Sequence, residues 1–226
     1  MSWRGKLLAS GQDAKTIKGE KEGYVTAIMY MLPWKSAGIN VCPMAEQAGC
    51  IDGCLNSAGM GKFSNVQAAR AKKTAWFAKD RKGFLEALER DITNFIKWAK
   101  KQGKIPAIRL NGTSDIRWEN HGIIQKFPDV QFYDYTKISN RKNLPDNYHL
   151  TWSYSEVNEA YVAKAPKKEN WAVVFRTKDL PKTFKGREVI DGDKDDLRFL
   201  NGKGKVIGLY AKGAAKKDTS GFVVDV

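Results

Sequence analysis

From residue 105 to its end the chain alternates short apolar runs with polar or helical stretches. That alternation limits it to a sheet built mainly of parallel strands. Segments 105–110, 130–135, 148–153, 171–176, 188–191 and 206–210 each read as a strand. Segment 24–32, rich in β-branched and aromatic residues between Gly23 and Pro33, adds a seventh. A capping box at Ser64 and Gln67 starts a helix running to about residue 79. A second begins near residue 81, with Phe84, Leu85, Leu88, Ile92, Phe95 and Ile96 at helical spacing. Lys97, Lys100 and Lys101 suit its last turn, and Gly103 ends it. Shorter helices are expected near 116–126 and 157–165. Several connections are too short for full helices. The expected architecture is therefore a single α/β domain over 1–226, an irregular or partial TIM-like (β/α) barrel with parallel strands. Residues 1–22 read as an irregular lead-in, and an open doubly wound sheet is the alternative architecture.

Polar residues recur where these strands end. Asn111 and Asp115 follow the 105–110 strand, and Thr136 and Lys137 follow the next. Ser153 and Glu156, then Arg176, then Asp191 and Asp193, then Lys212 end the later ones. In a barrel the strand C-termini share one rim, where sites are assembled from several strands. Arg109 and Arg176 lie inside strands, where a guanidinium must find a partner or an anion. With Asn111, Asp115, Ser153, Glu156, Asp191 and Asp193 they form the expected ligand pocket. Capping is the ordinary alternative for Ser114, Asp115, Ser155 and Asp193. His121 and His149 each stand alone and read as structural histidines.

All three cysteines, Cys42, Cys50 and Cys54, fall within thirteen positions spaced C-x7-C-x3-C, directly after the first strand. Three thiols cannot all pair with one another, but three thiolates can converge on one metal centre. Gly49, Gly53, Gly59 and Gly61 allow the tight turns that aim sulfurs inward and bring backbone N–H groups to them. The expectation is an iron–sulfur cluster, three-iron (3Fe-4S) or four-iron (4Fe-4S), held by these three residues on the barrel rim. Zinc with a fourth ligand from His, Asp or Glu is the other metal reading, although the C-x2-C spacing of zinc knuckles is missing. Three inert structural cysteines are the plainest one.

Composition bounds the partners. Thirty-nine Lys and Arg against 25 Asp and Glu give a formal charge of +14, which suits an anionic ligand or nucleic acid. The basic residues are scattered, however, and a solvated lysine surface explains them equally well. No apolar run approaches membrane-spanning length and the first residues lack a signal-peptide core, so a soluble cytoplasmic protein is expected. Neither G-x-G-x-x-G, G-x4-G-K-[ST] nor G-x-S-x-G is present. The last residues, Phe222-Val-Val, read as a docking segment.

Several stretches resemble a family of uncharacterised bacteriophage proteins: Cys42-Pro-x-Ala…Gly-Cys50…Cys54-Leu…Gly61, Gln67-Ala-Ala-Arg70 with Lys73-Thr74, and Arg109-Leu-Asn-Gly-Thr-Ser-Asp115. Val189-Ile-Asp-Gly-Asp193, Asp196-Leu-Arg198, Gly208-Leu…Lys212-Gly and Gly221-Phe-Val carry the likeness to the end of the chain. More distantly the layout is similar to radical S-adenosylmethionine enzymes, which place three cysteines on the loop after the first strand of a partial barrel. That resemblance implies a four-iron cluster with one open iron and S-adenosylmethionine as cofactor. The spacing departs from the C-x3-C-x2-C of those enzymes. Two functions from different classes are therefore carried: a cluster-dependent enzyme, and a non-enzymatic phage accessory protein. The accessory protein would have a structural or redox-sensing iron–sulfur or zinc site and a basic surface for nucleic acid or a host protein.

Overall fold

The computed structural model describes residues 5–11 and 14–226. The lead-in is more regular than expected: it holds β1 (Leu8–Ser10) and α1 (Ala14–Gly19). β2 (Tyr24–Met29) follows, and then a long irregular segment carries the cysteines. α2 (Ser64–Lys79) and α3 (Arg81–Lys101) form the main helical layer. The rest is β3 (Ile105–Arg109), β4 (Gln131–Thr136), β5 (Tyr148–Tyr154), α4 (Glu159–Val162), β6 (Trp171–Phe175), β7 (Thr183–Phe184), β8 (Arg187–Asp191), β9 (Val206–Tyr210) and β10 (Val223–Val224). The helix expected at 116–126 is instead one 3-10 turn, Trp118–His121, followed by Gly122 at φ 70°. That expected at 157–165 shrinks to a 3-10 turn, Glu156–Asn158, and the single turn of α4.

The strands run in the order β1-β2-β3-β4-β5-β6-β9-β8-β7, with β10 beside β6. Pairings from β2 to β8 are parallel, as the alternation of strands and helices requires, and antiparallel strands sit at both ends. Among the described strands the hydrogen bonding leaves this sheet open. A hairpin turn at Lys185 (φ 50°) and Gly186 (φ 74°) joins β7 to β8, the two positive φ values matching the strand twist. The expected docking segment is β10, which pairs in parallel with Val174 and Phe175 beyond the point where β5 leaves that edge.

Side chains alternate across the sheet. One face sends Met29, Ile108, Phe132, Trp152 and Phe175 into the core that also holds Phe84, Leu88, Ile92 and Phe95 of α3. The other face is polar and aromatic. There Arg109 pairs with Asp196 at 3.2 Å, the Tyr133 hydroxyl donates to Asp196 at 2.9 Å, and Phe199 packs on Tyr24 and Tyr133. Lys15 of α1 meets Asp193 at 2.7 Å. The segment leaving β8 thus reaches back over β2, β3 and β4. No helix among the described residues is long and apolar enough to cross a membrane.

Candidate metal centre

The cysteine segment crosses the C-terminal ends of the strands. The Val41 carbonyl accepts the Asp115 amide at 2.8 Å, tying its start to the loop after β3. At its far side Gly49 and Gly53 fit against Ser220 and Phe222 of the tail. A Cβ at Gly49 would lie 2.9 Å from the Ser220 hydroxyl, and one at Gly53 would lie 2.8 Å from the Phe222 ring. The glycines are therefore used for close approach to the C-terminal segment as well as for turning.

All three thiols are free and half-buried. The Cys42 sulfur lies 3.7 Å from the Thr113 carbonyl, and that of Cys50 lies 3.7 Å from the Ala45 carbonyl. Cys54 accepts the Asn56 amide at 3.5 Å. Burial pushes the Cys42 thiol up to about 12, opposed by the backbone amide of Trp34. Burial also raises Cys54, opposed by the Asn56 amide. Trp34 has φ 52°, an uncommon conformation for an aromatic residue, and its buried indole Nε1 has no partner among the described residues. Among the described residues no three or more His, Cys, Asp or Glu side chains are drawn together as a metal ion's ligand set.

Two cations complete the surroundings. Burial pulls Lys137 down, but the fields of Cys50, Asp115, Cys42 and Cys54 together hold it above the ordinary lysine value. Arg70 of α2 lies over the Tyr30 ring at 4.8 Å, donates to Asn56 beside Cys54, and is lowered by burial against the pull of Tyr30 and Cys54. Lys137 was visible in sequence only as a polar residue ending a strand, and Arg70 only as part of the stretch that carries the family resemblance; nothing marked Trp34. Lys137 lies far along the chain from the cysteines, and only the fold joins them.

The residues expected in a ligand pocket disperse. Asp115 adjoins the cysteines, accepting Thr136 Oγ1 at 2.8 Å and the Lys137 amide at 2.7 Å. Asn111 is a buried hub: its carbonyl accepts Ser114, the Ile116 amide and the Trp118 indole, and its amide nitrogen donates to Asp134 and the Ile116 carbonyl. Arg109 lies on the opposite sheet face, paired to Asp196 and 4.6 Å from the Tyr135 ring centre. Ser153 is buried, its carbonyl bound to Asn158, and Glu156 is exposed beside Gly221. Arg176 clamps the tail through Asp225 and the Lys216 and Asp218 carbonyls. Asp191 accepts the Asp193 amide at 2.8 Å. Burial opposes the charge of Asp193, yet Lys15, Lys212 and the Tyr210 amide hold its carboxyl well below the usual range.

Asp134, which the sequence did not single out, gives a pH test of this network. Burial lifts its carboxyl to about 7, against Arg109, Tyr148 and the Asn111 amide. An unfolded aspartate titrates near 3.9, so the folded state holds an extra proton between roughly pH 4 and 7. The associated stability is full below the lower value and is lost as pH rises through the higher one. Urea midpoints should therefore move in favour of Asp134→Asn, relative to the parent, between pH 4 and 7. A constant difference across that window would show an unshifted carboxyl.

No curated protein and no solved structure matches the chain. The Gene product 88 family model, by contrast, matches residues 6–226, and over nearly its whole length the chain therefore belongs to this phage-type gene-product family.

Proposed function

We propose that this protein is a phage protein that binds an iron–sulfur cluster through Cys42, Cys50 and Cys54, on a partial (β/α) barrel whose strand C-termini carry the site. The observation that supports this reading is that all three free cysteines lie on the one segment after β2, with the cations Lys137 and Arg70 beside it. Three neutral thiols offer a half-buried ammonium little, whereas an anionic thiolate centre compensates it directly. The raised thiols of Cys42 and Cys54 describe the metal-free protein; metal binding displaces those protons and leaves negative charge facing Lys137 and Arg70. Amides of Trp34 and Asn56 directed at two of the sulfurs are the kind of N–H contact that tunes such clusters. With three cysteines the cluster is a three-iron centre, or a four-iron centre with one position outside the cysteines. Bound there, it would supply electron transfer or an open iron.

Anaerobic reconstitution followed by iron and sulfide assay, a visible spectrum and electron paramagnetic resonance tests this. Stoichiometric iron and sulfide, lost on replacing any one cysteine by Ala, is the expected result. Lys137→Gln should hold iron less firmly than Lys137→Arg. Zinc without sulfide, or full iron retention in all three cysteine variants, would overturn the cluster. The same sample, reduced and given S-adenosylmethionine, tests the radical version: release of methionine above a cysteine-variant blank supports it, and none removes it.

A further inference from the structure

Beside Asp115 lies a recess of about 240 Å³ that the cluster reading does not use. Its walls combine two arginines and a histidine with the small accessible parts of Phe77, Val41 and Ile138, which are 4%, 2% and 3% exposed. Arg81 lies flat over the Phe77 ring at 3.7 Å and donates its Nε to the Phe77 carbonyl at 2.9 Å. Arg117 donates one terminal nitrogen to Asn140 at 2.7 Å. Each guanidinium is fixed through one part of its fork, and neither has a carboxylate partner among the described residues. His121 stands edge-on to Phe77 at 5.8 Å and is lowered by burial and by Arg81.

The acidic groups nearby are already engaged. Asp115, in the wall, is bound by Thr136, the Lys137 amide and Arg141; Glu119, which faces His121, is held by both ends of the Arg141 fork. The recess therefore presents two fixed guanidinium groups and an imidazole above an aromatic and aliphatic wall. Guanidinium forks match oxyanions in geometry and charge, and the apolar wall suits the body that carries one.

We propose that this recess binds an organic oxyanion, a phosphate or carboxylate group held by Arg81, Arg117 and His121, with its apolar body on Phe77, Val41 and Ile138. The site adjoins the cysteine segment, since Val41 and Pro43 flank Cys42. A bound anion offsets the Arg81 field at His121 and so raises the pH at which that histidine titrates.

The chain has only two histidines, which makes imidazole nuclear magnetic resonance a direct readout. His149, pulled by burial to about 4, serves as the internal control. Phenyl phosphate, inorganic phosphate and benzoate are the probes. The expected result is an upward shift of the His121 titration with phenyl phosphate and no change at His149. Binding should be about tenfold or more weaker in Arg117→Gln and Arg81→Gln, the loss of one charge-assisted hydrogen bond, and unchanged in Lys126→Gln. Phenyl phosphate binding more tightly than benzoate assigns a phosphate group, and the reverse assigns a carboxylate. An unmoved His121 with every probe, equal effects of Arg117→Gln and Lys126→Gln, or inorganic phosphate binding as well as both aromatic probes would overturn the proposal.

Discussion

Replacing Arg141 by Met is expected to destabilise the protein by about 3–5 kcal/mol, the cost of removing one partner from a buried ion pair. Its side chain is fully buried. Nε donates to Glu119 at 2.9 Å, Nη2 pairs with the other Glu119 oxygen and reaches the Tyr148 hydroxyl at 3.2 Å, and Nη1 lies 3.7 Å from Asp115. Tyr148 in turn donates to Asp134 at 2.7 Å. Met fills much of the same volume but leaves Glu119 buried without its cation and removes a partner from Asp115. Urea denaturation measures the loss, and the Arg141→Met/Glu119→Gln double variant should recover a substantial part of it. A single variant within about 1 kcal/mol of the parent, the range of exposed ion pairs, would show that this network is solvated.

Arg141 also marks where the sequence stops being legible. It lies in a stretch that reads as a polar turn, and its partner lies 22 residues earlier, in a stretch that reads as a helix. Period and propensity report on neighbours along the chain, and they say nothing about pairs made by the fold. The helix expected at 116–126 fails for a related reason. The Asn111 side chain captures the Ile116 amide and the Trp118 indole, and Gly122 then takes a left-handed φ, so the backbone is turned out of a helix before one can form. β1 escaped notice because three residues are too few to show alternation, and its pairing with β2 is what makes it a strand.

The candidate site divides in the same way. The thiol triad and its place after β2 could be read directly, because the cysteines are few and close together. The ammonium of Lys137, on the loop after β4, could not. Arg109 and Arg176 read as strand charges that need a partner or an anion, and Asp193 as a polar residue ending a strand. Their partners in the structure are Asp196, Asp225 and Lys15, which only the tertiary structure reveals. Strand-end polarity therefore marks residues that the fold places on both faces of the sheet and at its tail, and it does not tell which of them share one pocket.

Where period does carry information, the effect is just as large. Phe84, Leu88, Ile92 and Phe95 recur every three or four residues along α3, and all four are buried. Phe84 is completely enclosed, with its ring edge-on to Phe77 at 5.2 Å and to Trp76 at 5.4 Å, and stacked on Trp118 at 6.5 Å. Phe84→Ala removes a ring from the junction of α2, α3 and the 118–121 turn, where three other aromatic rings cannot collapse into the space. The expected loss is about 3–5 kcal/mol. Trp98, on the same helix but 43% exposed, is the comparison: its replacement by Ala should cost far less, because most of what it would bury stays in water. Equal losses for the two variants in urea denaturation would mean that α3 does not seat its periodic face on the sheet. The recess lined by Phe77 and His121 would then lose its wall as well, which ties the stability of this helix to the anion site beside it.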